Sequence, residues 1–187
     1  MNFRIFQFVE TEKFQYLRIH KNGNLSVMKC IQDNFKDVVF NVNVAWKKPR
    51  FCIIRDPYER YLSGLKADLF HNNMDIKDVN LKKLFTSNEN HRRNTWMGRI
   101  NHSVSQIPYL MNTHVDHYID MEDLNLFLKM HFGKSEHEHK FTEKVSFDIE
   151  EHISKEEVMK YLHLDYHVYN HIKKSPFLWE WQHGKIF

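Results

Sequence analysis

"FCIIRDPYERYLSGL", residues Phe51 to Leu65, decides how the rest of the chain is read. Its first four residues are an unbroken apolar run, the pattern of a strand covered on both faces. Arg55 and Asp56 follow at once, and then Pro57. Proline suits the first turn of a helix, and an aspartate directly before it suits the cap. Tyr58, Tyr61, Leu62 and Leu65 then fall on one helical face. A buried strand running straight into an amphipathic helix is the building unit of a parallel α/β sheet.

The same unit stands upstream in "YLRIHKNGNLSVMKC", Tyr16 to Cys30. Tyr16 to His20 reads as a strand, and Leu25 to Phe35 as a helix with Leu25, Met28, Ile31 and Phe35 on one stripe. A further strand is expected at Phe3 to Val9, before a polar turn, and another in the alternating, β-branched run Asp37 to Trp46. Downstream, a short helical piece is expected at Val79 to Phe85 and a helix at Ser103 to Met111. A strand follows at Val115 to Asp120, then the helix "MEDLNLFLKMHF", which Gly133 ends. "SKEEVMKYLHLDYHVYNHIKK", Ser154 to Lys174, is helical with a break near Leu164–Asp165, and Ser154 with Glu157 fits a capping box. Pro176 closes that region ahead of an aromatic tail. No repeat and no linker interrupts the alternation. The expectation is one α/β domain over residues 1–187, with a central, mainly parallel sheet flanked by helices.

Composition narrows the function classes. With 42% hydrophobic and 14% aromatic residues among 187, the chain can bury a core and is not of the disordered type. A formal charge of +3 falls short of a dedicated nucleic-acid binder and suits a protein that holds a small polyanion in one pocket. The 14 histidines raise the charge below neutral pH. Two cysteines, Cys30 and Cys52, make no secreted disulfide framework and read as buried thiols. No stretch approaches the roughly 20 apolar residues of a membrane span, and the first residues lack a signal-peptide core. The expectation is a soluble, cytoplasmic protein.

Ligands of open parallel sheets bind beyond the carboxyl ends of the strands. Lys21 and Arg55 each come directly after a strand. In "KNGNLS", Gly23 lets the backbone turn and approach a ligand, and Asn24 and Ser26 can cap the helix or donate to oxygens. The helix start favours an anion, and Lys21 adds a full charge. The loop is not a Walker cradle, because the lysine precedes the glycine and no G-x-x-x-x-G-K-[ST] occurs. Arg55 offers a rigid fork for a second phosphate, and Ser63, two turns into its helix, can join it. Two anion sites on one rim fit a nucleoside carrying phosphates at both ends.

These two stretches resemble the nucleotide-binding motifs of sulfotransferases, most nearly the carbohydrate enzymes of the heparan and chondroitin type. "HKNGNLSV" is similar to their 5′-phosphosulfate loop, and "FCIIRDPYERYLSGL" to their 3′-phosphate motif, R-D-P-x-x-R-x-x-S after an apolar strand. "NHSVSQIPYL" with "VDHYIDMEDLNLFL", and "LDYHVYNHI" with Asp165 and Tyr166, carry the likeness more faintly. The resemblance implies a P-loop-like, three-layer fold, the donor 3′-phosphoadenosine-5′-phosphosulfate (PAPS), a hydroxyl acceptor of the carbohydrate class and no metal. Position by position it implies Lys21, Asn22, Gly23, Asn24, Leu25 and Ser26 for the 5′-phosphosulfate, and Arg55 and Ser63 for the 3′-phosphate. Asn24 and Leu25 depart from the small hydroxyl residues usual in that loop.

In-line sulfuryl transfer leaves charge on the departing oxygen, which Lys21 would stabilise. The base expected to take the acceptor proton is His102, in the His–Gln segment; His20 borders the cradle but belongs with its strand. Arg92, Arg93 and Trp96 are the residues expected to meet the acceptor. Two alternatives stand beside this reading: a protein of the same fold that binds without transfer, and a P-loop-type nucleotide kinase. The cluster His131, His137 and His139 lacks the fixed spacing of a metal site, and "HRRN" is too short a run for a nucleic-acid patch. Trp179 and Trp181 read as residues closing the core.

Overall fold

The computed structural model describes residues 8–43, 47–78, 105–111, 113–133, 151–152, 154–180 and 184–187. In chain order these hold β1 (Phe8–Glu10), β2 (Gln15–Leu17), α1 (Asn24–Asn34), β3 (Val39–Val42), β4 (Arg50–Ile54) and α2 (Pro57–Asn72). Then come α3 (Ile107–Met111), β5 (His117–Asp120), α4 (Leu124–Phe132), α5 (Lys155–Tyr161) and α6 (His163–Lys173). The strands form one open sheet in the order β3-β1-β2-β4-β5.

β4 is the axis of this arrangement. All five of its residues are buried, as its apolar run requires. It pairs in parallel with β2 on one side, Gln15 opposite Arg50, and with β5 on the other, Phe51 opposite His117. Successive residues of a strand face opposite sides. Phe51 and Ile53 therefore enter one core, with Val27, Met28 and Ile31 of α1, Leu124, Phe127 and Leu128 of α4, and Trp179. Cys52 and Ile54 enter the other, with Leu110 of α3 and Tyr169 and Ile172 of α6. Helices thus cover both faces. A third cluster packs Tyr58, Tyr61, Leu65 and Leu69 of α2 against Val158 of α5 and Leu162.

The caps match the sequence reading. Asp56 accepts from the backbone N–H groups of Tyr58 and Glu59, at 2.9 and 3.0 Å. Ser154 accepts from the N–H of Glu157 at 3.2 Å. Gly133 ends α4 in the left-handed region at φ 70.

The sheet is mixed rather than uniformly parallel: β1 runs antiparallel to both β2 and β3. The cause is the short connection from β1 to β2. Thr11 N donates to the Phe14 carbonyl at 3.0 Å, and the Thr11 hydroxyl accepts from Lys13 N and Phe14 N. So tight a turn permits only a hairpin, since a parallel crossover needs a dozen or more residues. Leu25, placed on the buried stripe of α1 by its spacing, is 66% exposed, and Val27, Met28 and Ile31 carry the contact. Of the expected strand from Asp37 to Trp46, the described residues form Val39–Val42 at the sheet edge, where Val39 and Phe40 are exposed; residues 44–46 lie outside the described residues. The break between the last two helices falls at Leu162, two residues before the expected point. The expected helical piece at 79–85 lies outside the described residues. No described helix is long and apolar enough to cross a membrane.

Cys30 and Cys52 are both buried free thiols, and burial pushes the Cys52 thiol up. Trp179 is fully buried, and its Nε1 donates to the Gly184 carbonyl at 3.0 Å. Phe187 joins the same aromatic nest, 4.1 Å from the ring of Phe14. Trp181 lies outside the described residues.

His131 sits in that nest, 4.3 Å from the Phe127 ring and 4.7 Å from Phe187, and neither ring nitrogen has a hydrogen-bond partner among the described residues. Burial, aided by Lys185 and His117, pulls its pKa from 6.5 down to about 4. The unfolded chain therefore binds this proton more readily than the folded one. Stability from this group is complete above pH 6.5 and is lost as pH falls from there to about 4. Urea unfolding at pH 7.5 and at pH 5 should show a smaller loss on acidification in His131→Phe than in the unaltered protein; an equal loss in both removes His131 from the pH dependence.

Candidate functional site

The parallel pairing of β2 with β4 decides where the two cationic turns lie. Both strands point their carboxyl ends to the same rim, so the loops after them are neighbours. The Arg55 guanidinium donates to the Lys21 carbonyl at 3.3 Å. It also pairs with Glu59 at 3.2 Å, one helical turn on. Lys21 is left-handed at φ 65, an uncommon state for a side chain other than glycine.

The turn is held from below by Asn22. Its side chain, fully buried, donates at 2.7 Å to the carbonyl of Ile53 and at 3.1 Å to the side-chain carbonyl of Gln106. Gln106 in turn donates to the carbonyl of Arg55 at 3.1 Å. One amide pair thus ties the β2–α1 loop, the end of β4 and the segment before α3. Asp165 of α6 extends the network, accepting from the Ser105 hydroxyl at 2.7 Å and from Gln106 N at 3.1 Å. Tyr166 closes it by donating to the carboxylate of Asp56 at 3.1 Å.

Gly23, at φ 69, caps α1 without a side-chain hydrogen bond. The expected capping by Asn24 or Ser26 is not the arrangement found. Asn24 accepts from the Tyr16 hydroxyl at 2.5 Å, and Ser26 is buried within the helix. The space beside Gly23 is taken: a Cβ there would lie 2.6 Å from Leu124 Cδ2 and 3.3 Å from the Met121 sulfur. Leu25 points outward. Ser63 is partly exposed in the second turn of α2. Arg92, Arg93, Trp96 and His102 lie outside the described residues, as do His137 and His139. No group of three metal-ligating side chains is gathered among the described residues.

Charge is concentrated on this rim. Burial lowers the pKa of Lys21, Asp68 opposes that, and Arg55 and Arg60 add to it. Arg60, 2% exposed, is pulled down to about 10, chiefly by burial and against the pull of Asp165 and Tyr109. Its Nε and Nη2 have no hydrogen-bond partner among the described residues. Burial raises the pKa of Asp165, although Ser105, Gln106 and Arg60 all favour its charged form. Arg55 and Arg60 thus lie close enough to Lys21 to disfavour its charged form, with Asp68 as a counter-charge to Lys21 and Asp165 to Arg60.

Beside the cationic turns opens a cleft of about 460 Å³. Arg55, Asp56, Tyr58 and Glu59 line it from the start of α2, Asp120, Met121 and Glu122 from the end of β5, and Lys155, Tyr166 and Tyr169 from the last two helices. Burial first, and then Asp56, push the Tyr166 hydroxyl up to about 12; burial and Asp120 likewise raise Tyr169. Sequence reasoning placed Arg55 here but missed the cleft. It also missed Gln106 as the joint of the network; the likeness of the His–Gln segment was the signal that pointed to it.

Replacing Gly23 by alanine forces a side chain into the left-handed region and against Leu124. The expected cost is about 2 kcal/mol or more, measured by urea unfolding. A neutral result would mean that Leu124 gives way freely and that the cradle does not need its glycine. Comparison of the chain with protein-family models, with curated proteins and with solved structures finds no match.

Proposed function

We propose that this protein binds 3′-phosphoadenosine-5′-phosphosulfate across the rim formed by its two cationic turns and transfers the sulfuryl group to an acceptor hydroxyl. The observation that carries the reading is convergence. The stretches whose residues resemble sulfotransferase motifs are distant in the chain, yet Asn22, Arg55, Gln106, Asp165 and Tyr166 meet in one hydrogen-bonded network. The donor set fits the nucleotide: Lys21, the start of α1, whose Gly23 cap brings no side-chain hydrogen bond, and Arg55 supply cationic and N–H contacts for two phosphate-bearing ends. Parallel pairing of β2, β4 and β5 with helices on both faces supports a P-loop-like reading, while the antiparallel β1 departs from it.

In the proposed reaction the acceptor oxygen attacks sulfur and forms a new S–O bond. The S–O bond to the 5′-phosphate breaks, its electron pair staying on the phosphate oxygen beside Lys21. The acceptor proton passes to a base, for which His102 is the candidate from the sequence. The acceptor is a hydroxyl of the carbohydrate class, and two buried cysteines that form no disulfide accord with a reducing, cytoplasmic setting. A second reading, binding without transfer, is favoured by Leu25: exposed at the first turn of α1, it brings no hydroxyl to the sulfonate oxygens.

Thermal-shift titration tests the nucleotide. 3′-Phosphoadenosine-5′-phosphate (PAP) should raise Tm, and ATP with magnesium should not. Arg55→Ala should keep the fold and weaken PAP by about tenfold or more, the scale of a lost charge-assisted contact; unchanged affinity takes Arg55 out of the site. Transfer of labelled sulfate to glycans separates catalysis from binding alone.

The binding form of Lys21 is the ammonium, and its pKa lies below 10.5. PAP affinity should therefore decline as pH rises into the alkaline range, and Lys21→Arg should flatten that decline. A pH profile identical in both would show that Lys21 carries no charge to the phosphate.

A further inference from the structure

The cleft beside Arg55 is unlike the cationic rim it adjoins. Four carboxylates line it, Asp56, Glu59, Asp120 and Glu122, against the cations Arg55 and Lys155. Lys173 reaches Asp120 at 2.8 Å, and even with it the carboxylates are in excess. The hydrogen-bonding capacity is biased in the same direction. Tyr166 commits its proton to Asp56, and Tyr169 commits its proton to Asp120. Both phenol oxygens retain lone pairs but have no proton to offer, and carboxylates only accept. Arg55 gives one N–H to the Lys21 carbonyl and one to Glu59, and its remaining N–H groups are those the proposed nucleotide phosphate would take. Asp56 and Asp120 are already filled by their own donors, so the acceptors open to a ligand are the exposed Glu59 and Glu122 and the phenol lone pairs, set among tyrosine rings that can cover the C–H face of a sugar.

We infer that this cleft is the acceptor site and that it takes an uncharged or amine-bearing polyhydroxylated compound, such as a neutral or amino sugar, in preference to an anionic glycan. The inference rests on the proposed nucleotide reading, because the acceptor hydroxyl is to meet the sulfuryl group where the cleft borders the rim. Met121 marks that border: it lines the cleft and packs beside Gly23. A polyol donates from every hydroxyl and an ammonium from three N–H groups, matching the acceptors; a uronate or sulfate brings like charge and no added donor. The same excess of carboxylates keeps the phosphates of the nucleotide on the rim and out of the cleft.

Ligand-observed NMR on the full chain tests this, with chitobiose (glucosamine disaccharide) and N,N′-diacetylchitobiose as the amine-bearing and neutral probes and an unsulfated uronate-containing disaccharide as the anionic one. Each is titrated with and without saturating PAP. The chitobioses should bind at least about tenfold more tightly than the uronate, the scale expected for one unfavourable charge contact. Glu122→Lys, at a side chain 84% exposed and so neutral toward the fold, should narrow or invert that preference. Uronate binding as tight as chitobiose, or no binding of either chitobiose, overturns the inference. So does a preference unaltered by Glu122→Lys. PAP binding is read in the same samples: sugar binding without PAP binding leaves the cleft a sugar site but removes the nucleotide reading and, with it, the cleft's role as acceptor site. PAP binding without sugar binding removes only the inference.

Discussion

The buried amide of Asn22 is the constraint around which the rest of this site is built. Its 2.7 Å bond to the carbonyl of Ile53 and its 3.1 Å bond to Gln106 link three chain segments that share no secondary structure. The Ile53 carbonyl lies near the end of β4, just before the chain leaves the sheet. An amide inside a protein must be paired, and leaving one unpaired costs on the order of 1–3 kcal/mol. Asn22 therefore fixes the loop where its partners are. With the loop fixed, Lys21 adopts a left-handed backbone, Gly23 packs under Leu124, and α1 begins with its N–H groups directed at the rim.

Burial and charge oppose each other on this rim, and the balance gives it a chemical character. Lys21, Arg55 and Arg60 repel one another, and burial disfavours the charged forms of Lys21 and Arg60. Asp68 and Asp165 offset part of that cost. An arriving dianion would offset more of it, so the proposed nucleotide would stabilise this region on binding. The neighbouring cleft has the opposite bias. Such a division would suit the proposed reaction between an anionic donor and a hydroxylic acceptor.

Much of this was legible along the chain, for identifiable reasons. The strand into α2 could be read because a run covered on both faces needs no alternation, and because Asp56 and Pro57 act locally as cap and first-turn residue. Gly133 and Ser154 were legible for the same local reason. The direction of β1 was not, since a four-residue polar turn can be recognised as a turn without revealing which neighbours its strands will take. Leu25 alone misled: Met28, Ile31 and Phe35 of its stripe do meet the core, but Leu25 lies in the first turn of α1, at the rim, where spacing does not tell that the core has ended. Gln106 looked like an ordinary polar residue until its two bonds were visible.

What the sequence determined by itself is the set of local devices: a doubly buried strand, a cationic residue directly after β4 and another in the turn that follows β2, and glycine at a turn that demands positive φ. These depend on residues within a few positions of one another, and the physics acting on them is short-ranged. What the tertiary structure decided is adjacency. Strand order placed Arg55 against the carbonyl of Lys21, brought Asp165 and Tyr166 to Gln106 and Asp56 across more than fifty and one hundred residues respectively, and hollowed the acidic cleft between them. Such contacts follow from which strands pair and which helix faces pack, and those choices minimise the free energy of the whole core rather than of any segment within it.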